Sequence, residues 1–343
     1  MLDFGFHRNF WISLNLEKGK ARSEAELHRM KLFLGIDAGG TKTAAVIADA
    51  AGTERGRGAG GPCSLATGDY PQWTRAVREA ARSACQAAGL PEDTRFAAVC
   101  AGVAGYSLKA KRAEFTEILA EEISADHYDL TPDYEIAYWG ASGGEPGVVV
   151  IAGTGSVAFG RNAQGETCKV GGLGYVLGDV GSGFALGISA LQEAIGLLKG
   201  GRPYPLANAV IEETGARSLE DLLSWIYTDF SPAKIAALAP IAGRLADAGD
   251  TIAQAKMRSL VAGHIRQTSE VIHQLALPPD APVYRLGGLW KSSAFLRSLP
   301  FTPTRSTENA DSTTNVKPPQ RNLREPIHDA AIGAALFAQH KAK

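Results

Sequence analysis

Two short turns rich in Gly, Thr and Ser carry the residue types that hold a nucleoside triphosphate. The first is Asp37-Ala38-Gly39-Gly40-Thr41-Lys42, and the second is Gly153-Thr154-Gly155-Ser156. Glycine lets backbone N–H groups approach phosphate oxygens without a Cβ in the way, while the hydroxyls and the lysine add further donors. Either turn alone also suits an ordinary hairpin that binds nothing. Because both occur, about a domain's length apart, they favour a clamp on the phosphates of ATP.

Asp37 is the carboxylate that belongs to the first turn. It follows the apolar run 32–36, which predicts a buried strand, so its side chain would face the phosphates. A hydrated Mg²⁺ would neutralise such a carboxylate, and ATP and Mg²⁺ are therefore the expected cofactors. Neither turn matches the G-x-x-x-x-G-K-[ST] P-loop, and no G-x-G-x-x-G leads from a first strand into a helix. P-loop and Rossmann sites are excluded.

The elements around the turns alternate between strands and helices. Each turn joins two apolar runs, which predicts a hairpin of strands at 32–48 and again at 148–159. Pro71 and Gly89 mark the ends of an amphipathic helix, and further helices are predicted at 109–123, 184–198 and 330–339. This alternation predicts an α/β protein with three-layer domains on either side of a polar cleft.

Three segments of the chain together indicate a protein family more specifically than any one of them alone: residues 34–43, 151–156 and 178–183. Together they resemble the signature segments of the BadF/BadG/BcrA/BcrD ATPase family, in the branch that contains N-acetylglucosamine kinase. The resemblance implies a two-domain actin-like ATPase fold of the ribonuclease H-like type with an interdomain cleft. It also implies transfer of the γ-phosphoryl group of ATP to a hydroxyl, expected to be the 6-hydroxyl, of an amino sugar such as N-acetylglucosamine.

The resemblance also implies roles for individual residues. Asp133 corresponds to the general base for the sugar hydroxyl, with Asp126 and Asp129 as rivals and a turn or helix cap as its alternative role. Asp179 corresponds to a carboxylate that accepts hydrogen bonds from vicinal sugar hydroxyls, with a cap of the following helix as the alternative. The other implied contacts are with adenosine at Gly287, Gly288 and Trp290 and with the sugar at Ser64, Gly102, Gly105 and Gly172.

Several positions depart from the pattern of the amino-sugar kinases. Val180 stands where Glu is usual, Leu173 stands where Trp is usual, and Val157 replaces the Asn of the animal enzymes. Cys63 and Ser64 replace an expected Ser-Asn pair. The ATP-binding motifs are therefore matched more closely than the sugar-binding ones, and N-acetylglucosamine, glucosamine, N-acetylmuramic acid and glucose all stay open as substrates.

Charge and composition exclude several other classes of protein. The chain has 35 Lys and Arg against 36 Asp and Glu, so it offers no basic field for a nucleic acid. No run approaches the roughly 20 apolar residues of a membrane span, and the 4 cysteines show no C-x-x-C spacing. These features favour a cytoplasmic protein, and the resemblance implies a small-molecule sugar substrate and a homodimer.

The expected domain organisation has three parts. Residues 1–29 are predicted to be a non-core extension whose deletion leaves activity and melting temperature nearly unchanged. Residues 30–140 form the first domain and residues 141–343 the second, with a helical insertion. The polar stretch 302–325 is predicted to be a surface excursion, and the last helix, 327–341, is expected to pack back on the first domain.

Two other functions stay open on the sequence. One is the ATPase that activates 2-hydroxyacyl-CoA dehydratases, which needs cysteine thiolates at a dimer face to hold a [4Fe–4S] cluster. The scattered cysteines disfavour it. The other is a sensor that binds ATP and sugar without catalysis, from which steady release of ADP would distinguish a kinase.

Overall fold

The computed structural model describes residues 30–66, 68–299 and 322–343, and this part of the chain contains two five-stranded mixed sheets. The first sheet has the order β3-β2-β1-β4-β5. Its strands are Leu32–Ala38 (β1), Thr43–Asp49 (β2), Glu54–Gly60 (β3), Ala98–Val103 (β4) and Tyr128–Pro132 (β5). The second sheet has the order β10-β9-β6-β7-β8. Its strands are Gly147–Ala152 (β6), Ser156–Arg161 (β7), Thr167–Gly171 (β8), Val283–Leu286 (β9) and Leu323–Arg324 (β10).

The two sheets repeat one topology. In the first, β1, β2 and β3 pair antiparallel, while β4 and β5 run parallel to β1. In the second, β6, β7 and β8 pair antiparallel, while β9 and β10 run parallel to β6. The repeat confirms the predicted α/β class and the duplicated hairpin, and it sets each glycine-rich turn at the same place in its own sheet.

Helices flank both sheets. In chain order they are Tyr70–Ala88 (α1), Lys109–Glu122 (α2), Asp133–Ser142 (α3), Gly183–Leu198 (α4), Pro205–Thr214 (α5), Leu219–Tyr227 (α6), Pro232–Ala236 (α7), Ala239–Asp247 (α8), Thr251–Gln274 (α9), Ser293–Ser298 (α10) and Ala330–Lys341 (α11). The first of them has both of its ends capped: Asp69 caps α1 through Gln72 N–H, and Gly89 ends α1 with φ +67°. None of the described helices is both long and apolar enough to cross a membrane.

Strand β3 lies in a glycine-rich stretch that the sequence pattern did not mark as a strand. Its glycines alternate along one face, where α1 packs against the sheet. A Cβ at Gly58 would lie 2.1 Å from the Ala80 carbonyl oxygen, and Gly56 and Gly60 meet carbonyls of α1 as closely. Glycine is therefore required here for close approach of a helix, although it normally weakens a strand. A smaller difference is β8, which was not predicted.

The last helix, α11, packs on β1 and on α3. A Cβ at Gly35 would lie 2.2 Å from Ala335 N, and one at Gly333 would lie 2.0 Å from the Ile136 carbonyl oxygen. A cluster of buried side chains that includes Phe33, Tyr138 and Phe159 continues from this contact to the second sheet. The chain's end therefore covers the first sheet. The predicted extension 1–29 and residues 302–321 of the predicted excursion lie outside the described residues.

Candidate active site

The first glycine-rich turn closes the β1–β2 hairpin. Ala38 pairs with Thr43, and Gly39 N–H donates to the Lys42 carbonyl oxygen over 3.1 Å. The Gly39 carbonyl in turn accepts from Cys63 N–H at 2.8 Å, which fixes the turn to the segment after β3. A Cβ at Gly40 would meet no atom within 4 Å, so the tip of the turn is open on its outer side.

The second turn closes the β6–β7 hairpin and is supported by a helix. Gly153 N–H donates to the Gly155 carbonyl at 3.0 Å. The carbonyls of Gly153 and Thr154 accept from Gly183 and Phe184 N–H, at 2.7 and 3.2 Å, so they take up donors that the start of α4 would otherwise leave without partners. The turn and the helix start are thus held as one unit, which is the rigid backbone that a phosphate site requires.

A cavity of about 540 Å³ lies between the two sheets' carboxyl ends, and we call it the acidic cavity. Its lining comes from both halves of the chain: the segment after β4, the start of α3, the second turn, β8 and the loop before α4. Among the predicted site residues it brings together Gly105, Asp133, Gly153, Thr154, Gly155, Ser156, Gly172 and Asp179.

A second cavity, of about 740 Å³, lies among α7, α8 and the segment after β9, and we call it the helical cavity. Gly153 and Thr154 line both cavities, so the second turn stands where the two meet. Gly288 also lines the helical cavity. Gly287 has φ +103°, and a Cβ there would lie 2.3 Å from the Ala152 carbonyl oxygen, so only glycine permits this approach to the second turn.

Asp133 is the first residue of α3, at the carboxyl end of β5. Its Oδ1 accepts from Tyr134 N–H at 2.9 Å, and the N-cap position of α3 is held by Pro132 rather than by Asp133. Asp133 is exposed to solvent within the cleft, but the protein around it displaces part of its hydration and so raises the pKa of its carboxyl, while the hydrogen bond from Tyr134 and the charge of Lys169 act against that rise. A carboxylate with a raised pKa in a cavity has the environment of a general base.

The two rival carboxylates lie elsewhere. Asp126 forms a surface ion pair with Arg95 at 2.7 Å, and its side chain is 52% exposed. Asp129 lies within β5, opposite Cys100 of β4, and does not line the acidic cavity. Of the three candidates, only Asp133 lines the acidic cavity.

Asp179 lies in the loop before α4 and faces the second turn. A Cβ at Gly155 would lie 2.8 Å from Asp179 Oδ2, and the nearby backbone N–H groups of Ser156 and Gly174 act to lower the pKa of this carboxyl. Burial nevertheless raises the pKa of Asp179. Its Oδ1 is buried and has no hydrogen-bond partner among the described residues, and such an atom normally marks a place for a ligand or water. The helix itself is capped by Ser182, so the capping alternative for Asp179 is wrong.

Asp37 lies at the end of β1. Burial, followed by the negative charges of Asp133 and Asp329, raises the pKa of Asp37 from 3.8 to about 6, and Lys42 acts in the opposite direction. The first turn lines neither cavity, but the charge of Asp37 interacts with that of Asp133. Among the described residues, no group of three or more acidic, His or Cys side chains is arranged to hold a metal directly. A lone carboxylate fits contact with a nucleotide-borne Mg²⁺ through water.

Three predicted contact residues face away from both cavities. Trp290 is buried, its Nε1–H donates to the Val150 carbonyl at 3.2 Å, and its ring packs on Phe295. Gly102 lies within β4, where a Cβ would clash with Ile136 at 2.3 Å. The buried Ser64 hydroxyl accepts from Ala66 N–H at 3.2 Å. In this conformation none of the three lines either cavity.

Sequence reasoning missed several residues of the acidic cavity. Tyr106, Ser107 and Tyr134 line it beside predicted residues, and proximity in sequence to Gly105 and Asp133 was the available signal. Lys169 gave no such signal, because it lies on β8, which was not predicted. Its Nζ donates to the Gly172 carbonyl at 3.3 Å and lies 5.4 Å from the centre of the Tyr134 ring.

Several known proteins are similar to this chain in sequence. An N-acetyl-D-glucosamine kinase of Dictyostelium discoideum is 28% identical over 331 residues, which cover 91% of this chain and 99% of that protein. An N-acetylmuramic acid/N-acetylglucosamine kinase of Clostridium acetobutylicum is 28% identical over 317 residues, covering 90% of this chain and 99% of that protein. Both relatives match nearly their whole length.

Solved structures agree with these relatives. A Chromobacterium violaceum protein, provisionally described as an N-acetylglucosamine kinase, superposes with a TM-score of 0.70 at 28% identity, covering 90% of this chain and 99% of that one. A ROK hexokinase from Thermus thermophilus shares the fold with a TM-score of 0.54 at 17% identity, covering 91% and 100%. The predicted actin-like fold is confirmed. The sequence model of the BadF/BadG/BcrA/BcrD ATPase family matches residues 34–338, and the chain belongs to that family.

Proposed function

We propose that this chain is an ATP-dependent kinase that phosphorylates a hydroxyl of an amino sugar such as N-acetylglucosamine. One observation carries the proposal: two cavities meet at the Gly153-Thr154 turn, and the smaller one is lined by the carboxylate of Asp133. A nucleotide in the helical cavity would direct its phosphates past the turn toward that carboxylate. A sugar in the acidic cavity would present its hydroxyl there.

The transfer step follows from this placement. The Asp133 carboxylate accepts the proton of the sugar hydroxyl, and the hydroxyl oxygen forms a bond to the γ-phosphorus. The bond between the γ-phosphorus and the oxygen bridging to the β-phosphorus breaks, and ADP leaves with that electron pair. The products are a sugar phosphate, ADP and a proton, which Asp133 returns to solvent. We assign the accepting position to the 6-hydroxyl because it is the exocyclic and least hindered hydroxyl of such a sugar.

A Mg²⁺ on the nucleotide would supply charge neutralisation at the phosphates. Asp37 is the residue that fits contact with its water shell, because it stands alone at the end of β1 with a raised pKa. The phosphates would be surrounded by backbone donors of both turns, including Gly39, Gly40 and Gly155. The side chains of Thr41, Lys42 and Ser156 would add further donors. The Ser156 hydroxyl accepts a hydrogen bond from Gly181 N–H at 3.2 Å, which holds the second turn against the loop before α4.

The sugar class rests on the relatives and on the shape of the acidic cavity. Two relatives that match over about nine-tenths of this chain are kinases of N-acetylglucosamine. Asp179 offers an unpartnered oxygen for a sugar hydroxyl, whereas Leu173 and Val157 give that cavity apolar walls. Apolar walls suit the methyl group of an N-acetyl substituent. The substrate proposal is therefore an N-acylated amino sugar ahead of free glucosamine or glucose.

The cysteines do not favour the alternative of an iron–sulfur activator ATPase. Cys63, Cys85 and Cys100 are buried, and Cys168 is half-buried. Burial raises the pKa of the Cys63 thiol to about 12 and that of Cys85 to about 11, so these groups resist forming the thiolates that a cluster needs.

A coupled assay of ADP release tests the proposal over a panel of N-acetylglucosamine, N-acetylmuramic acid, glucosamine and glucose. We expect sugar-dependent ADP release with MgATP, greatest for an N-acylated sugar, and phosphorus NMR of the product should show a phosphate ester on the 6-carbon. ADP release that is independent of every sugar would contradict the kinase. Sugar binding measured by calorimetry without turnover would instead support a sensor.

A further inference from the structure

We propose that Lys169 contacts the transferring γ-phosphoryl group and stabilises its charge during transfer. The proposal rests on the proposed kinase function and adds a residue to that site. Lys169 lies on β8 and lines the acidic cavity together with Asp133, Thr154 and Asp179. It is the one basic side chain among the residues that line this cavity.

The ammonium group of Lys169 has N–H donors that make no hydrogen bond within the described part of the chain. Its one hydrogen bond within the described part of the chain goes to the Gly172 carbonyl at 3.3 Å, and an ammonium group carries three N–H donors. The side chain rests above the Tyr134 ring, with Nζ 5.4 Å from the ring centre. The ion pairs formed by the described residues do not include Lys169. The lysine is therefore held in place by a carbonyl and a ring while two N–H groups stay available to a ligand.

The charges in the acidic cavity call for a cation at this place. Asp133 and Asp179 both face the cavity, so an incoming triphosphate would meet two carboxylates next to its terminal group. Lys42 is the cation of the first turn and acts on Asp37. In the same way, the positive charge of Lys169 acts to lower the pKa of both Asp133 and Asp179. Phosphoryl transfer places negative charge on the equatorial oxygens, and a fixed cation stabilises that charge.

The γ-phosphoryl group is a better ligand for Lys169 than the neutral sugar is. Thr154 lines both cavities, so a nucleotide in the helical cavity would bring its terminal phosphate to the turn where the two cavities meet. A neutral sugar brings no negative charge to the ammonium group, whereas the phosphoryl oxygens do. A charged hydrogen bond of this kind is among the stronger polar contacts in proteins.

Nucleotide binding without turnover tests the proposal first. Calorimetry would compare ADP with the β,γ-imido analogue of ATP, each with Mg²⁺, on the full chain and on Lys169→Met. We expect Lys169→Met to lower the ratio of analogue to ADP affinity by about tenfold, because only the analogue has a γ-phosphoryl group. Lys111→Met is the matched control. Its Nζ lies 5.5 Å from the Trp73 ring centre, a similar stacking on α2 outside both cavities, and its removal should leave the ratio unchanged.

Kinetics supply the second measurement. We expect Lys169→Met to lower kcat by about 10²- to 10³-fold with less than a threefold change in the KM for sugar, and Lys169→Arg to recover at least part of the loss. An unchanged affinity ratio, or a loss that appears only in the sugar KM, would overturn the proposal. If the wild-type chain binds the analogue better than ADP but phosphorylates no sugar, the kinase proposal fails. The affinity ratio would still decide the role of Lys169.

Discussion

Asp37 is proposed to help bind MgATP, but its ionised carboxylate lowers the free energy of unfolding of the nucleotide-free protein. Burial, with repulsion from Asp133 and Asp329, raises the pKa of Asp37 from 3.8 to about 6. An acid that binds its proton more tightly in the folded state favours folding at low pH. Its contribution is lost as the pH rises from about 4 to about 6, and above that range the ionised group destabilises the fold. We therefore expect Asp37→Asn to stabilise the nucleotide-free protein at neutral pH.

The magnitude follows from the same values. A difference between 3.8 and about 6 corresponds to about 3 kcal/mol of unfolding free energy at pH 8, at about 1.4 kcal/mol per pH unit. Asp37 is partly open to solvent, which screens the repulsion, so we expect roughly half of that, about 1.5 kcal/mol. At pH 5 the linkage relation gives about half the gain at pH 8. ADP release by the same variant should fall sharply.

Urea unfolding of the metal-free protein at pH 5 and pH 8 measures the effect. Asp49→Asn is the matched control, because it removes an aspartate of β2 whose pKa moves the other way. Although burial acts to raise it, hydrogen bonds from Arg55, Thr53 and Ala51 hold the pKa of Asp49 below its ordinary value. Asp49→Asn should therefore destabilise the protein at pH 8. The reasoning is refuted if Asp37→Asn is no more stable than the wild type at pH 8, or if its gain is the same at both pH values.

Three further predictions follow from other parts of the structure. Asp133→Asn should lower kcat by roughly 10²- to 10⁴-fold with little change in nucleotide affinity, and near-normal turnover in steady-state assays would remove Asp133 from the base role. Gly58→Val should lower the melting temperature and reduce the free energy of unfolding by about 1 to 3 kcal/mol, because its Cβ would lie 2.1 Å from the Ala80 carbonyl oxygen. Gly40→Ala is the control, since a Cβ at Gly40 meets no atom within 4 Å. Because the first turn lines neither cavity, sugar and a nonhydrolysable nucleotide should draw the two turns together, and an unchanged radius of gyration in small-angle scattering would argue against closure.

The sequence was a good guide to elements formed by neighbouring residues. Both hairpins, and the helix that begins near Pro71 and ends at Gly89, follow from local spacing and capping. It was a poor guide to β3, because glycine has low strand propensity and its value at Gly58 depends on a helix that packs there. It also gave no sign of β8, since that strand is defined by pairing with β7 rather than by an apolar pattern of its own.

The sequence by itself determined the two glycine-rich turns and the family, because each depends on short runs of residues whose types and order can be read directly. Only the tertiary structure decided which side chains share a cavity. Strand β1 pairs with β4 some sixty residues away, and β6 pairs with β9 more than a hundred residues away. These pairings bring Asp133 and Asp179 to one cavity and Lys169 between them, and they turn Trp290 into the core. Long-range packing sets such contacts, and local propensity carries no information about them.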